Sequence, residues 1–232
     1  RWLEEGRPVT VWDVRDDRDR AEWHIPGSLH VNAMEALKDG RTDALPSIEF
    51  PAGRTVVVVC PKGRTSRIAA GELRARGVEA VSLAGGMQAW SLAWNTAPVA
   101  LPHPTAAVLQ VRRTGKGCLS YLLGSEGQAA VIDASLPPEI YLRLSEERGW
   151  KLRYAIDTHI HADHLSRGRA LAEMAGAEYL LPAQDRARFP YRPIHDRDTL
   201  RIGAARLAAF RTPGHTWEST CYVLDNQALF TG

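Results

Sequence analysis

Thr55-Val56-Val57-Val58-Val59-Cys60-Pro61-Lys62-Gly63-Arg64-Thr65-Ser66 is the stretch on which the reading of the fold turns. Residues 55–59 are β-branched throughout, which suits a central parallel strand covered on both faces. A helical pattern runs from Ser66 to Arg76 and stops at Gly77. Cys60 therefore falls between a strand and a helix. Working outward, residues 9–14 read as a buried strand and residues 80–83 as a short one. Strand, helix and strand at this spacing predict a parallel α/β sheet.

A thiolate at such a junction faces several backbone N–H groups and the positive end of the helix. Both lower the thiol pKa, and Lys62, Arg64 and Arg67 push the same way. Gly63 allows a tight backbone cradle, which would also stabilise a persulfide on the sulfur. The functional reading is a nucleophilic Cys60 that forms a covalent intermediate. The plain alternative is a buried structural cysteine at a strand end. A cysteine phosphatase would need Arg six positions after the Cys to clamp the phosphate dianion, and Ser66 stands there.

Asp13-Val14-Arg15, Glu22-Trp23-His24-Ile25-Pro26-Gly27-Ser28, Cys60 to Thr65, and Leu83-Ala84-Gly85-Gly86-Met87 through Trp90 resemble the rhodanese homology domain in order and spacing. The resemblance covers residues 1 to about 97. It implies a six-residue active loop of Cys60, Pro61, Lys62, Gly63, Arg64 and Thr65, sized for sulfur rather than phosphate. It further implies that Cys60 cycles between thiolate and persulfide, moving sulfane sulfur from a donor such as thiosulfate to a thiol. One departure is that Trp23 directly precedes His24, which affects a surface loop more than the site. His24 and His30 read as structural residues near a turn, and Asp13 as an organiser of backbone at a strand end.

Prolines at 98, 102 and 104 mark residues 98–105 as a linker, dividing residues 1–97 from residues 106–232. Strands are expected at 106–112, 118–123 and 129–132, then a helix over 137–148 and a strand at 152–156. Asp157-Thr158-His159-Ile160-His161-Ala162-Asp163-His164 follows. His159, His161, Asp163 and His164 are four metal-capable side chains within six positions directly after a strand, and one pocket could gather them. A helix is expected to end near Gly176, followed by strands at about 179–181, 199–202, 206–211, 220–224 and 228–230. His215, in Thr212-Pro213-Gly214-His215-Thr216, sits where a distant ligand would. Cys118 and Cys221 read as core residues in strands.

His-x-His-x-Asp-His followed by Thr-Pro-Gly-His, with Val131-Ile132-Asp133 and Leu229-Phe230-Thr231-Gly232, resembles the metallo-β-lactamase fold over residues 106–232. The resemblance implies the N-terminal half of an αββα sandwich. It implies metal contacts from His159, His161 and His215, with Asp163 and His164 available to a second ion. An Asp ligand is expected immediately after Gly232. The Thr158 to His164 run, Gly117-Cys118-Leu119-Ser120-Tyr121 and the Thr-Pro-Gly-His-Thr loop look most like persulfide dioxygenases. Those enzymes hold one Fe(II) with two His and one Asp, here His159, His215 and the expected Asp. The alternatives are a zinc thioester hydrolase of glyoxalase II type and a non-catalytic sulfur carrier or scaffold.

The 29 basic and 27 acidic residues leave a net charge of +2, no footprint for nucleic acid, and no apolar run approaches a membrane span. Three scattered cysteines make no disulfide framework, so a reducing, cytoplasmic setting is expected. Both ends read as cut, the first within an amphipathic segment. The expected partners are small thiols, persulfides, thiosulfate or sulfite. An exposed sheet face with a tendency to self-associate is expected as well.

Overall fold

A computed structural model describes every residue except Arg1 and Glu4, which belong to the opening amphipathic segment. The chain divides into two compact units, Arg1–Ala93 and Trp94–Gly232.

The first unit contains β1 (Val9–Asp13), α1 (Asp17–Glu22), β2 (Leu29–His30), α2 (Met34–Lys38), β3 (Thr55–Val59), α3 (Thr65–Ala75), β4 (Ala80–Ser82) and α4 (Gly86–Trp90). Its sheet has the order β2-β1-β3-β4 and every pairing is parallel. The β-branched run at 55–59 is thus interior to the sheet, as its composition predicts. Trp12, Val56 and Val58 pack with Leu37, Ala69 and Leu73 on one face. Val11 and Val59 pack with Ile25 and Met87 on the other. Register sets Asp13 beside Val59, so the C-terminal end of β3 delivers Cys60 next to the end of β1.

The Leu83 to Gly86 motif has a steric cause. Gly86 has φ +59, and a Cβ there would collide with the Cys60 carbonyl oxygen and stand 2.7 Å from the Gly63 nitrogen. Gly63 has φ +81, and its Cβ would lie 2.9 Å from the Gly85 nitrogen. The two loops press backbone to backbone, which only glycine permits.

The second unit contains β5 (Asn95–Val99), β6 (Ala106–Arg113), β7 (Cys118–Ser125), β8 (Gln128–Ile132), α5 (Pro138–Glu146), β9 (Lys151–Ile156), α6 (Gly168–Ala175), β10 (Glu178–Pro182), β11 (Arg192–Ile194), β12 (Thr199–Ile202), β13 (Ala205–Arg211), β14 (Thr220–Leu224) and β15 (Ala228–Phe230). A seven-stranded sheet, β11-β10-β9-β8-β7-β6-β5, packs on a four-stranded sheet, β12-β13-β14-β15. Between them lie Leu123, Ile132, Ile156 and Leu180 against Leu200, Leu207, Tyr222 and Phe230. Helices α5 and α6 cover the other face of the larger sheet through Tyr141, Leu144 and Leu171. The outer face of the smaller sheet carries Phe210, 43% exposed, and Leu229, 60% exposed.

Two expectations change. The first two residues of the expected linker are structured: Asn95–Val99 pairs antiparallel with β6 as an edge strand, and the boundary lies at Ala93/Trp94. Pro98 is tolerated there because an edge strand has one side without ladder partners. Cys118 and Cys221 are not core residues, since both are only partly buried. Cys221 follows the alternation of β14, in which Thr220, Tyr222 and Leu224 take the inward positions. Among the described residues no helix is long and apolar enough to cross a membrane.

Candidate functional site

In the first unit, the thiol of Cys60 is buried at the base of the loop. The Gly63 N–H donates to Sγ at 3.1 Å, and the Ser66 hydroxyl lies 3.2 Å from it. Ser66 in turn is 2.8 Å from the Ser82 hydroxyl on β4. A thiolate only accepts hydrogen bonds, so with Cys60 ionised Ser66 donates to Sγ and accepts from Ser82. Burial pushes the thiol up, but hydrogen bonds from Ser66 and Thr65 and from the Ser66 and Lys62 backbone outweigh it. The Cys60 pKa is lowered. Hydrogen bonds thus lead over the flanking cations that the sequence offered. Helix α3 has no side-chain cap at Arg64, so its first N–H groups stay free for the loop.

The thiol opens on a cavity of about 430 Å³ lined by Met34, Lys38, Pro61, Lys62, Arg64 and Thr65. Its three cations suit an anionic sulfur donor. Asp13 is fully buried and binds Arg15 through Oδ2 at 2.8 Å and through the backbone N–H at 3.1 Å. His30 bonds the Arg15 carbonyl at 2.8 Å and His24 the Arg20 carbonyl at 3.1 Å. All three are placed as scaffold.

In the second unit, four histidines converge at the C-terminal ends of β8 and β9. The ring of His159 lies 4.2 Å from that of His161 and 4.8 Å from that of His215, and His161 lies 4.4 Å from His164. Asp133, just after β8, organises them. It is buried, with φ +54, a strained setting for a non-glycine residue. Its carboxylate accepts from the Thr158 N–H at 2.8 Å, the Thr158 hydroxyl at 2.9 Å and His161 Nε2 at 3.1 Å.

These bonds fix proton positions. The Thr158 hydroxyl gives its proton to Asp133, so it can only accept from His159 Nδ1, 2.8 Å away. His159 therefore presents its Nε2 lone pair. His161, donating through Nε2, presents Nδ1. His164 donates Nδ1–H to Asp163 at 3.1 Å and keeps Nε2 as a lone pair, buried without a partner among the described residues. An orphaned imidazole lone pair on His164, in a cluster of neighbouring histidines, is what a divalent metal would satisfy. The imidazoles of His159, His161, His164 and His215 and the carboxylate of Asp163 are donors of the kind such an ion takes.

The surrounding charges agree. Burial and then the neighbouring His161 lower the pKa of His159, which keeps it a neutral ligand. For His164 burial lowers the pKa and His161 adds to it. Burial opposes protonation of His161, yet Asp133 raises it overall. The buried Glu218 carboxylate accepts from the Ile160 N–H at 3.0 Å and pairs with Arg186, pinning the loop between the two His residues. A cleft of about 530 Å³ opens over the cluster, lined among others by Cys118, Tyr121, Asp133, Asp163 and His215. Gly232 lies there too, where a Cβ would stand 3.4 Å from His159 Nδ1.

Residues 113–232 match the family model of the metallo-beta-lactamase superfamily, more than half of the chain. The chain belongs to that superfamily. Residues 1–93 match the rhodanese-like domain, so the chain joins a rhodanese-like unit to a metallo-beta-lactamase unit. Membership implies binding of divalent metal, with zinc the usual ion. Hydroxyacylglutathione hydrolase of Anaeromyxobacter dehalogenans (strain 2CP-C) is 39% identical over 108 residues, 45% of this chain and 41% of that protein. The protein of the same name from Rhodopseudomonas palustris (strain BisB18) is 32% identical over 130 residues, 54% of this chain and 51% of its own length. The solved structure of ETHE1 from Myxococcus xanthus aligns at 32% identity with a TM-score of 0.45, covering 49% of this chain and 51% of that one. The chain thus spans about two fifths to one half of these relatives.

Reading the sequence alone found Cys60 and the four histidines but assigned no role to Ser66, Ser82, Asp133 or Glu218. Ser66 entered only as the absence of an arginine. Asp133 entered as part of a motif, and its position after a buried strand was the signal available. Glu218 carried none, because its partners are 32 and 58 positions away.

Proposed function

We propose that this chain is a sulfur-metabolism enzyme: Cys60 carries sulfane sulfur, and the metallo-beta-lactamase unit oxidises a low-molecular-weight persulfide to sulfite. The observation that carries the first half is the lowered pKa of Cys60 inside a cationic cavity. The Cys60 thiolate attacks the sulfane sulfur of thiosulfate. The S–S bond breaks, sulfite departs with the electron pair, and a persulfide anion remains on Cys60. The Gly63 N–H and the Ser66 hydroxyl, which bond the thiolate here, hold Sγ in line. An acceptor thiolate then attacks the outer sulfur and returns Cys60 as thiolate. Lys38, Lys62 and Arg64 attract the dianionic donor.

For the second half, His159, His215 and an Asp following Gly232 would hold one Fe(II), leaving open positions. That ion would supply a site for O₂ and persulfide together. Asp133 and Thr158 hold the His159 lone pair toward it, and Glu218 fixes the loop backbone. Gly232 lines the cleft beside His159. A second reading, a zinc thioester hydrolase, is favoured by the likeness to hydroxyacylglutathione hydrolases. Substrates in either case are small thiol derivatives, and a reducing cytoplasm suits three free cysteines.

Two measurements test this. Cys60→Ser should abolish thiosulfate-dependent sulfur transfer, and unchanged transfer removes Cys60 from the mechanism. Protein purified without air should contain about one iron and consume O₂ with glutathione persulfide. Zinc without O₂ uptake moves the unit to the thioester hydrolases.

A further inference from the structure

Thr65 ends the cysteine loop, opens α3 and lines the cavity in front of Cys60. It is buried, and its hydroxyl donates to the thioether sulfur of Met34 at 3.5 Å. Met34 belongs to α2. Ala33 and Leu37 sink into the core of the first unit and hold α2 in place, so that Met34 and Lys38, one helical turn apart, both line the cavity. A hydroxyl has one proton to give, and a thioether has only lone pairs. While Thr65 donates to Met34, its proton is turned away from Cys60 Sγ. Yet a hydrogen bond from the Thr65 side chain also favours the Cys60 thiolate. One proton thus has two acceptors: a neutral thioether, and a sulfur whose charge changes during the reaction.

We propose that Met34 is a positioning residue for sulfur transfer, the resting acceptor of a Thr65 proton that turns to Cys60 when the negative charge is there. The inference rests on the sulfur-transfer reading of Cys60 above and adds a residue to which that reading gives no part. A thioether is a weak acceptor, whereas a hydrogen bond to an ionised sulfur is charge-assisted, so Thr65 leaves Met34 for the thiolate at little cost. When the thiolate attacks thiosulfate, the new S–S bond forms, sulfite departs with its electron pair, and the charge that remains passes from Sγ to the outer sulfur. Sγ is then a neutral, weak acceptor, and the Thr65 hydroxyl swings back to Met34. When the acceptor thiol removes the outer sulfur, the charge returns to Sγ and the hydroxyl follows it. The Thr65 O–H bond is never broken: only its hydrogen-bond partner changes. Leucine at position 34 would leave the proton on Cys60 throughout.

The test is Met34→Leu, which nearly conserves volume and removes the acceptor. Thr65 then donates to Sγ without competition, and the thiolate is favoured. The midpoint of iodoacetamide alkylation at Cys60 should move to lower pH, and alkylation below the titration should run about 2- to 3-fold faster. Above the titration, turnover on saturating thiosulfate should fall, because the thiolate that keeps its extra hydrogen bond is the weaker nucleophile, while KM holds because Lys38, Lys62 and Arg64 are untouched. Repeating the substitution in two backgrounds separates positioning from packing. In Thr65→Val, Met34→Leu should no longer move the midpoint; in Thr65→Ser, which keeps the hydroxyl, it should. An unmoved or raised midpoint in Met34→Leu, or a displacement that survives Thr65→Val, overturns the proposal and leaves Cys60 as the sulfur carrier. Alkylation requires no sulfur transfer, so failure of the underlying reading shows separately, as thiosulfate-dependent transfer that persists in Cys60→Ser, and it would take the role of Met34 with it.

Discussion

Ser66→Ala removes a side-chain hydroxyl that lies 3.2 Å from Cys60 Sγ. Ser66 is fully buried, so no water replaces it easily. A hydrogen bond to a charged group contributes about 1.5–3 kcal/mol. At ~1.4 kcal/mol per factor of ten, the thiolate population at a pH below the titration falls about 10- to 150-fold. The remaining thiolate is more basic and more nucleophilic, and with a Brønsted coefficient of ~0.5 this recovers about half of the loss on a logarithmic scale. The net expectation is alkylation at Cys60 slowed about 3- to 12-fold at low pH. The sign then reverses. Above both titrations each protein is fully thiolate, and the variant reacts faster because its sulfur is the stronger nucleophile. Iodoacetamide rates against pH, read at Cys60 by peptide mass spectrometry, should therefore give two profiles that cross, with the variant midpoint displaced upward. Parallel profiles with a common midpoint would refute the assignment of the lowered pKa to Ser66. Ser82→Ala, which leaves Ser66 free to donate but removes its polarising partner, should show a smaller displacement in the same direction.

Asp133→Asn should weaken metal binding about 10- to 100-fold in chelator competition, the usual cost of losing a partner that orients a ligand; unchanged affinity would mean that the histidine tautomers are set elsewhere. Tyr141→Phe strips the hydroxyl that accepts from the Ser135 N–H at 3.0 Å and the Leu136 N–H at 3.2 Å. Two buried donors lose a partner, and denaturant unfolding should show a loss of about 1–3 kcal/mol or more. Gly86→Ala drives a Cβ into the Cys60 carbonyl at a positive φ, so the rhodanese-like unit should melt earlier and lose sulfur transfer together, with the histidine unit's metal binding unchanged. Sulfur transfer at wild-type rate in Gly86→Ala would show that the two loops are not in the contact described.

The reactive atoms were legible in the sequence because they are rare residues at marked junctions. Cys60 follows five β-branched residues, and the histidines follow the strand end at Ile156 with a spacing that chance seldom gives. Most strands were legible for the same kind of reason: β12, β14 and β15 lie where their alternation and turns put them. The short elements were not. α1, α2, α4, β2 and β11 have two to six residues each, too few for a period to show. β5 was hidden by Pro98, which reads as linker until the pairing with β6 reveals an edge. Cys118 was misplaced because alternation says which residues share a face and not which face is buried. Its neighbour Leu119, 45% exposed, shows that the start of β7 has already left the core.

What sequence order withholds most completely is the partner that sets a proton. The parallel register pairs Ile132 on β8 with Ile156 on β9, so Asp133 and Asp157 emerge side by side from the ends of two buried strands. Two carboxylates in a dry place do not ionise with equal ease, and their hydrogen bonds divide them. Asp133 spreads three donors over both oxygens, two from Thr158 and one from His161. Asp157 receives Ser166 and Tyr179 on Oδ2 alone, at 2.6 and 2.7 Å, while Oδ1 has no partner among the described residues. Burial and then the charge of Asp133 raise the Asp157 pKa to about 6. Asp157 thus takes up a proton more readily than an ordinary carboxylate, and its free Oδ1 can carry it. That asymmetry is what lets Asp133 hold His161 through Nε2 and, through Thr158, His159 through Nδ1. The lone pairs offered to a metal are thus chosen by a strand register 24 residues apart in sequence, between Ile132 and Ile156.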